Sequence, residues 1–334
     1  MPQPLKYNKK FDELTEEEKE LLEINKKTIA DFVEQSSSIS DVNYATRNAH
    51  AKTYVAADGT FFIDKNIPEE LLPFFDSEKF DLTIRLSNAN LKIKNTGKDV
   101  PAYGFAVKIK DEKGGLIANF PLVNFPLFPT SSVSQFLKLF TAVNRFYIKK
   151  WSSFFSLATQ AVKIFPSVFT VSFFRNIIKL LSKRNDFILS FDYHSVGAYR
   201  LGDSMIKIKL VPKSTDKNFG KKLNIKEALN QYFQDHDYTA DVLIQFCYDL
   251  KDQPINRLNV EWKNSPYIKI GEVKIDKGQL LNPRDCSNEL LSFNPFESKI
   301  FFQPVGKIQK LREEAYKVSV QTRRKINKLL HKHQ

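Results

Sequence analysis

The sequence has few of the residues that build disulfide-stapled or zinc-bound folds. Among its 334 residues there are two cysteines, Cys247 and Cys286, and no Cys-x-x-Cys or Cys/His spacing typical of a zinc site. Two cysteines do not make a disulfide framework, so we expect a reducing, cytoplasmic environment. The N-terminal segment MPQPLKYNKKFDELTEEEKE lacks the apolar core of a signal peptide and is too acidic for a transit peptide.

Acidic residues are missing from one long segment. Residues 113–185 contain ten Lys and Arg but no Asp or Glu, and residues 131–185 carry eleven aromatic side chains. A membrane-spanning helix needs about 20 mostly apolar residues. Lys163 and Pro166 interrupt the longest apolar run, which argues against such a helix. Two interpretations stay open: helices that pack on the fold or form a dimer, and helices that lie on an anionic membrane surface.

The whole chain is basic, with a formal net charge of +13. This charge indicates affinity for polyanions, either nucleic acid or an anionic membrane. No nucleic-acid-binding motif accompanies the charge, so nucleic acid is the less favoured partner. A hydrophobic content of 42% is enough for a large buried core.

Hydrophobic periodicity predicts helices at both ends and strands between them. Residues 11–34 form an amphipathic helix with Thr15 and Glu18 as a capping box, and residues 306–333 form a helix with a basic end. KTYVAADGTFFID predicts two short strands around Asp58-Gly59, and a second hairpin is predicted at Gly202-Asp203. About eight short strands in all predict an α+β fold: an antiparallel eight-stranded β-barrel with flanking helices.

His50 is the histidine best placed for chemistry. It stands in TRNAHAK (residues 46–52), among small and cationic residues and just before a strand-like alternation. Arg47 precedes it by three residues, and Arg85 lies on the predicted strand TIRLS. Guanidinium groups at strand ends suit carboxylates or phosphates, because the fork binds two oxygens at once. Taken singly, each residue also fits a structural role, as a satisfied histidine or a surface salt bridge.

Asn124 is a second candidate, because it stands between apolar residues in VNFPLF (123–128). A buried amide needs hydrogen-bond partners, and beside an imidazole it could hold a peroxide or an oxyanion. The alternative is an asparagine that caps the turn before Pro126.

Arg312 and Tyr316 are a third candidate, because residues four apart share a helix face. An arginine one turn before a tyrosine stabilises the phenolate, and a phenolate is a good ligand for ferric haem. The alternative is a surface arginine beside a packed tyrosine.

The order of these motifs resembles the haem catalase superfamily over roughly residues 40–324. The resemblance is to short catalase-like proteins that keep the barrel and lack the later helical and C-terminal regions. RNAHAK, IRLS, GFAVK and VNFPLF resemble the family's histidine, Arg-x-Ser, barrel and asparagine segments, and LSFNPFE and GKIQKLREEAY resemble the tail of the short subgroup. The chain differs from the family pattern at Thr53-Tyr54 and at Tyr103, where a glycine-rich turn and an arginine are usual.

The resemblance implies that the catalytic group is His50, acting as acid and base on a peroxide. Ser87 would bond to the histidine ring, and Asn124 would orient the peroxide.

The resemblance also implies a ferric haem b cofactor. Tyr316 would be the iron ligand with Arg312 beside it, and Arg47 and Arg85 would pair with the haem propionates.

The domain division that follows has three parts. An N-terminal helical arm covers residues 1–40, and the haem-binding barrel covers 41–324 with a basic, aromatic helical insertion at about 131–185. A basic tail covers 325–334.

The implied function is a catalase- or peroxidase-type oxidoreductase that cleaves hydrogen peroxide or an organic hydroperoxide. One alternative resembles allene oxide synthases, which rearrange lipid hydroperoxides, and would act in peripheral contact with an anionic membrane. The others are a non-catalytic haem-binding protein and a basic binding protein without haem. Homo-oligomerisation is left open.

Overall fold

Ten strands and six α-helices occur in the residues that the computed structural model describes, which are 3–96, 99–128, 130–168, 171–282 and 291–332. The strands are β1 (Thr53–Ile63), β2 (Lys79–Asn88), β3 (Tyr103–Lys110), β4 (Leu116–Val123), β5 (Tyr193–His194), β6 (Ala198–Leu201), β7 (Ser204–Pro212), β8 (Tyr238–Phe246), β9 (Tyr267–Ile275) and β10 (Pro304–Val305). The helices are α1 (Glu16–Ile39), α2 (Val133–Lys149), α3 (Phe154–Val168), α4 (Val171–Ser182), α5 (Ile225–Asp235) and α6 (Lys307–Lys332).

Eight strands close into an antiparallel barrel. Their order is β7-β5-β4-β3-β2-β1-β9-β8, and β8 pairs back onto β7. The short strands β6 and β10 extend the sheet from β7. The predicted α+β fold with an eight-stranded antiparallel barrel and flanking helices is therefore confirmed.

The interior of the barrel is a packed core. On β2, Leu82, Ile84 and Leu86 belong to the central apolar cluster. Because side chains alternate along a strand, Arg85 and Ser87 lie on the outer face of the same strand. The remaining interior cavity has a volume of about 40 Å³ and an apolar lining, which leaves room for only a few water molecules. A cofactor or substrate must therefore be sought outside the barrel.

The predicted hairpin at Asp58-Gly59 is wrong, because β1 runs unbroken from Thr53 to Ile63. Asp58 accepts a hydrogen bond from Thr83 Oγ1 at 2.8 Å, so its carboxylate links β1 to β2 and does not cap a turn. A Cβ at Gly59 would clash with the Lys274 carbonyl oxygen of β9. This glycine is required by the close approach of a neighbouring strand. The other predicted hairpin is confirmed: β6 turns into β7 at Gly202, whose φ is +62°.

The N-terminal helix is present but shifted. It begins at Glu16 and not at residue 11, with the predicted capping box between Thr15 and Glu18. Residues 9–12 form a short 3-10 turn instead. The helix packs on α2, where Asn25 donates to Thr141 Oγ1 at 2.9 Å, and on α6.

The acid-free segment includes β4, and its predicted helical part, at about residues 131–185, contains α2, α3 and α4. Of the helices described in the structure, none is long and apolar enough to span a membrane. The last helix, α6, continues through Lys332, so the described part of the predicted tail belongs to it. Cys247 is buried, and Cys286 lies outside the described residues.

Candidate functional site

His50 lies just before β1 in a backbone conformation that few residues adopt. Its φ is +50°, a left-handed value that costs a non-glycine residue energy and is often found at functional sites. Arg85 holds this conformation, because its Nη2 donates to the His50 carbonyl at 2.6 Å while its Nε donates to Thr53 Oγ1 at 3.0 Å. The buried guanidinium of Arg85 therefore fixes the backbone of the candidate histidine.

The segment before His50 is tied to three helices. Thr46 N donates to Ser36 Oγ of α1 at 2.8 Å, and Asn48 Nδ2 donates to Asn144 Oδ1 of α2 at 3.0 Å. Ala45 exchanges two hydrogen bonds with the Asn327 side chain of α6. The position of the histidine thus depends on α1, α2 and α6.

The imidazole of His50 lies against two strands. Its Nδ1 is 3.2 Å from Ser87 Oγ on β2. Gly104 of β3 pairs with Ser87, and a Cβ there would come within 2.7 Å of both His50 Nδ1 and Ser87 Oγ. The contact between imidazole and hydroxyl therefore requires glycine at this position.

The ring of His50 is poorly solvated and surrounded by cations. Burial is the largest cause that lowers its pKa, from 6.5 to about 3. The positive charges of Arg85, Arg312 and Arg47 lower the pKa in the same direction. His50 is therefore a neutral imidazole at physiological pH, which is the state that a general base requires.

Arg47 is half-buried and contacts the chain after residue 290. Its Nη2 donates to the Leu291 carbonyl at 2.7 Å. The positive charges of Arg47, Arg85 and Arg312 all lower the pKa of this one imidazole.

Asn124 is buried at the end of β4, and its amide is engaged by backbone groups. Its Oδ1 accepts from Tyr103 N at 2.8 Å, and its Nδ2 donates to the Pro101 carbonyl at 3.1 Å. These bonds join the end of β4 to the start of β3. The second N–H of the amide makes no hydrogen bond to the residues that the structure describes.

Arg312 and Tyr316 meet on α6, where the guanidinium carbon lies 5.8 Å from the centroid of the tyrosine ring. Arg312 Nη1 donates to Gln309 Oε1 at 2.6 Å, and Gln309 Nε2 donates to the Ala198 carbonyl of β6 at 3.2 Å. The guanidinium is therefore anchored to the barrel through Gln309.

Tyr199 of β6 is a polar residue that sequence reasoning missed. Its hydroxyl is buried close to Gln309 and Arg312, although within the described part of the chain no contact to it has the geometry of a full hydrogen bond. Burial raises its pKa to about 12, whereas the nearby Arg312 charge lowers it. No periodic signal marks this tyrosine, because it lies on a strand of only four residues.

Arg323 was missed as well. It is buried on α6, seven residues after Tyr316 and so on the same face of the helix. In the sequence, Arg323 cannot be told from the exposed lysines and arginines of the same basic helix. Only its burial in the structure distinguishes it from them.

Tyr54 and Tyr103, two of the residues at which the chain differs from the family pattern, lie close together. Tyr54 donates to Asp99 at 2.7 Å, and Lys52 forms an ion pair with the same carboxylate at 2.8 Å. The rings of Tyr54 and Tyr103 make an edge contact with centroids 6.4 Å apart. Two of the residues that depart from the motif, Tyr54 and Tyr103, therefore contact each other, whereas the third, Thr53, accepts a hydrogen bond from Arg85.

Comparison with known proteins finds likeness in structure. No family model and no curated protein sequence matches the chain. A fungal catalase matches with a TM-score of 0.59, and catalase A from Saccharomyces cerevisiae and a bacterial catalase each match with 0.58. Each is 16% identical in sequence, and each match covers 84% of this chain. The chain has a catalase-like fold.

The catalase-like chain spans about three-fifths of the length of these structures. It covers 59% of the fungal catalase, 62% of the yeast catalase and 57% of the bacterial one. At this level of identity the likeness concerns the fold alone, and the chemistry must be argued from the residues.

Proposed function

We propose that the catalase-like barrel binds ferric haem b and cleaves a peroxide, either hydrogen peroxide or an organic hydroperoxide. The observation that carries the proposal is the presence of two side-chain groups suited to peroxide chemistry at a haem. One is the neutral His50 imidazole held against Ser87, and the other is the Arg312–Tyr316 pair on α6, whose arginine charge reaches that imidazole.

The donor chemistry of these residues fits haem. The Tyr316 phenol, beside a guanidinium that favours its phenolate, would be the iron ligand. Arg47 and Arg85 would pair with the propionates, and the buried Arg323 adds a further cation on the helix of Tyr316. When bound, haem supplies an iron centre that activates the O–O bond of a peroxide.

The task of His50 is to move one proton. With Nδ1–H donated to Ser87 Oγ, the basic nitrogen is Nε2. Nε2 takes a proton from one peroxide oxygen and returns it to the other, which leaves as water or as an alcohol. The remaining amide N–H of Asn124 would orient the peroxide for this transfer.

Haem loading of the purified chain tests the proposal. Tyr316→Phe should lose the tyrosinate-type spectrum, whereas Tyr248→Phe, a tyrosine outside the site, should keep it. Protein that stays colourless with excess hemin would overturn the haem proposal. Haem-loaded protein that consumes neither hydrogen peroxide nor a lipid hydroperoxide would leave haem binding without the proposed reaction.

A lipid hydroperoxide met at a membrane surface is the second candidate, and the faces of α4 favour it. Phe173 and Leu180 face the fold: Phe173 packs on Phe125 with ring centroids 5.3 Å apart, and Leu180 packs on the central core. The opposite side of α4 is also apolar. Its exposed side chains lie at i, i+3, i+7 and i+10, are 49–76% exposed, and are Val171, Phe174, Ile178 and Leu181.

This exposed stripe has the charge that an anionic bilayer attracts. Arg175 and Lys179 are exposed beside it, and the segment around it contains no acidic residue. Aromatic and aliphatic side chains with flanking cations suit the interfacial layer of a membrane.

Liposome flotation with anionic and neutral vesicles tests the surface. The double substitution Phe174→Ser with Ile178→Ser should abolish flotation with anionic vesicles. Leu72→Ser with Ile300→Ser removes two similarly exposed apolar side chains outside the segment and should leave flotation intact. Absence of flotation, with dimers in solution that the first double variant dissolves, would assign the stripe to self-association instead.

A further inference from the structure

A second cavity, of about 260 Å³, lies between α4 and the outer face of the barrel. Lys179 of α4 and Lys183, which follows the helix, line one side of it, and Lys207 of β7 lines another. Trp262 and Tyr267 form part of its wall, together with Leu180. Asn124, proposed above to orient the peroxide, also lines the cavity, whereas the other side chains named here take no part in the pair of groups proposed for peroxide cleavage.

Lys207 is the unusual member of this set. Its side chain is only 8% exposed, and its ammonium lies 5.0 Å from the centroid of the Trp262 indole. It makes no hydrogen bond or ion pair with any residue that the structure describes. Burial lowers the pKa of Lys207 and the Glu261 charge raises it, but Glu261 forms no ion pair with Lys207 within the described residues. A buried ammonium without an ion pair or hydrogen bond costs folding free energy, so its place at a cavity wall points to a ligand.

The acidic residues of the cavity have partners of their own. Asp192 is paired with Lys209 at 2.7 Å. The Glu261 carboxylate accepts a hydrogen bond from Asn176 of α4. His194 is neutral at physiological pH, because burial lowers its pKa to about 3. The lining therefore has an excess of positive charge, with Lys207 as its most buried cation.

We propose that this cavity binds a small organic carboxylate, whose anionic group pairs with the Lys207 ammonium and whose apolar part lies against Trp262 and Tyr267. The charge excess selects an anion, and the aromatic walls select an apolar body over a bare inorganic ion. A volume of 260 Å³ is just below the usual range of about 300–1,000 Å³ for ligand pockets, which limits the ligand to a small molecule. The proposal is independent of haem, and its test needs no loaded cofactor.

Trp262 is a built-in reporter for such a ligand. The chain has two tryptophans, so Trp151→Phe leaves Trp262 as the single one. In this background, titration with benzoate should change the Trp262 fluorescence with saturation. Benzamide, which has nearly the same shape and no charge, should bind at least about tenfold more weakly, because hydrogen bonds to charged groups are the stronger ones.

Two further variants test the role of the lysine. Lys207→Met should weaken benzoate binding at least about tenfold. Lys226→Met removes an equal charge from an exposed position on α5 and should leave the affinity unchanged. Octanoate is the second carboxylate probe, and saturation by either acid supports the proposal.

Three results would overturn it. The first is no saturation with benzoate or octanoate at 10 mM, roughly the weakest affinity of interest. The second is equal affinity for benzoate and benzamide, which needs no substitution at Lys207 and so does not depend on whether that variant folds. The third is unchanged benzoate affinity in Lys207→Met.

Discussion

The Nδ1 atom of His50 lies 3.2 Å from the Oγ atom of Ser87, and the absence of a side chain at Gly104 is what permits it. Ser87 and Gly104 face each other across β2 and β3, so the sheet itself positions the imidazole. The donor and acceptor in this pair depend on the histidine tautomer, and a serine hydroxyl serves either one.

Substitution of His50 should separate proton transfer from cofactor binding. His50→Gln leaves the Arg312–Tyr316 pair in place, so we expect haem loading to persist while peroxide cleavage per haem falls about 100-fold or more. The measurement is the initial rate of peroxide loss. The matched control is His236→Gln at the end of α5, where the rate should not change. Unaltered turnover in His50→Gln would remove His50 from the reaction.

A single methyl group at Gly104 should disturb the same pair without removing any polar atom from it. In Gly104→Ala the new Cβ would come within 2.7 Å of His50 Nδ1 and Ser87 Oγ, so the ring or the hydroxyl must move. We expect a loss of peroxide cleavage of about 10- to 100-fold, the range seen when a supporting contact of a reactive group is lost. The haem spectrum and the thermal midpoint distinguish this effect from misfolding. A fully active Gly104→Ala protein would show that the contact is dispensable.

The acid stability of the protein should depend on His50 and His194. Burial, chiefly, lowers the pKa of each to about 3, so the folded state stays unprotonated where the unfolded state takes up protons. Stability is therefore lost as pH falls from about 6.5 towards 3, by at most about 1.4 kcal/mol per pH unit per histidine. The loss for each histidine is smaller than this limit, because both residues are partly exposed.

Urea unfolding at pH 7 and pH 4.5 measures this loss. His50→Gln and His194→Gln should each lose less stability between the two pH values than the unsubstituted protein does. Equal losses in all three proteins would contradict the pKa direction.

The barrel could be predicted because its strands alternate cleanly and its motifs follow a known order. The predicted strand YIKIGEVKI has the same first and last residues as β9, and the turn at Gly202 was predicted from the sequence alone. The prediction of a hairpin at Asp58-Gly59 was wrong for a physical reason. Local turn chemistry and close packing of a neighbouring strand both select glycine, and a sequence does not show which of them applies.

The interpretation of Gly59 can be tested through stability. If β9 packs against this position, Gly59→Ala should destabilise the protein by about 1–3 kcal/mol, the cost of overpacking. Gly278→Ala is the control, because Gly278 has φ +82° and no neighbour within 4 Å, so only backbone strain of about 1–2 kcal/mol applies there. The measurement is the denaturation midpoint in urea. A Gly59→Ala protein as stable as the original would exclude the close contact.

The candidate site was only partly visible in the sequence. His50, Arg85 and Ser87 lie within short motifs, whereas Tyr199 and Arg323 become notable only through burial. Asn124 is the opposite case. Its motif is clear in the sequence, but the sequence does not show that its amide is bonded to the backbone of Tyr103 and Pro101. Burial and partner choice are tertiary properties, and spacing does not encode them.

Removal of the buried charge at Lys207 should stabilise the protein at neutral pH. Burial lowers the pKa of the Lys207 ammonium from 10.5 to about 8, so below pH 8 the folded state carries the full cost of the buried charge. A shift of this size corresponds to roughly 3 kcal/mol, of which the lost contact with the Trp262 ring offsets about 1–2 kcal/mol. We therefore expect Lys207→Met to gain about 1–2 kcal/mol at pH 7.

The pH dependence of this gain identifies its cause. Between pH 8 and 10.5 the unfolded state holds a proton that the folded state has released, so the cost of the lysine fades as pH rises. The difference between Lys207→Met and the unsubstituted protein should shrink over that range, whereas exposed Lys226→Met should stay within about 0.5 kcal/mol throughout. Chemical denaturation at pH 7, 9 and 10.5 measures both. A Lys207→Met protein less stable at pH 7 would mean that the ammonium is compensated within the fold.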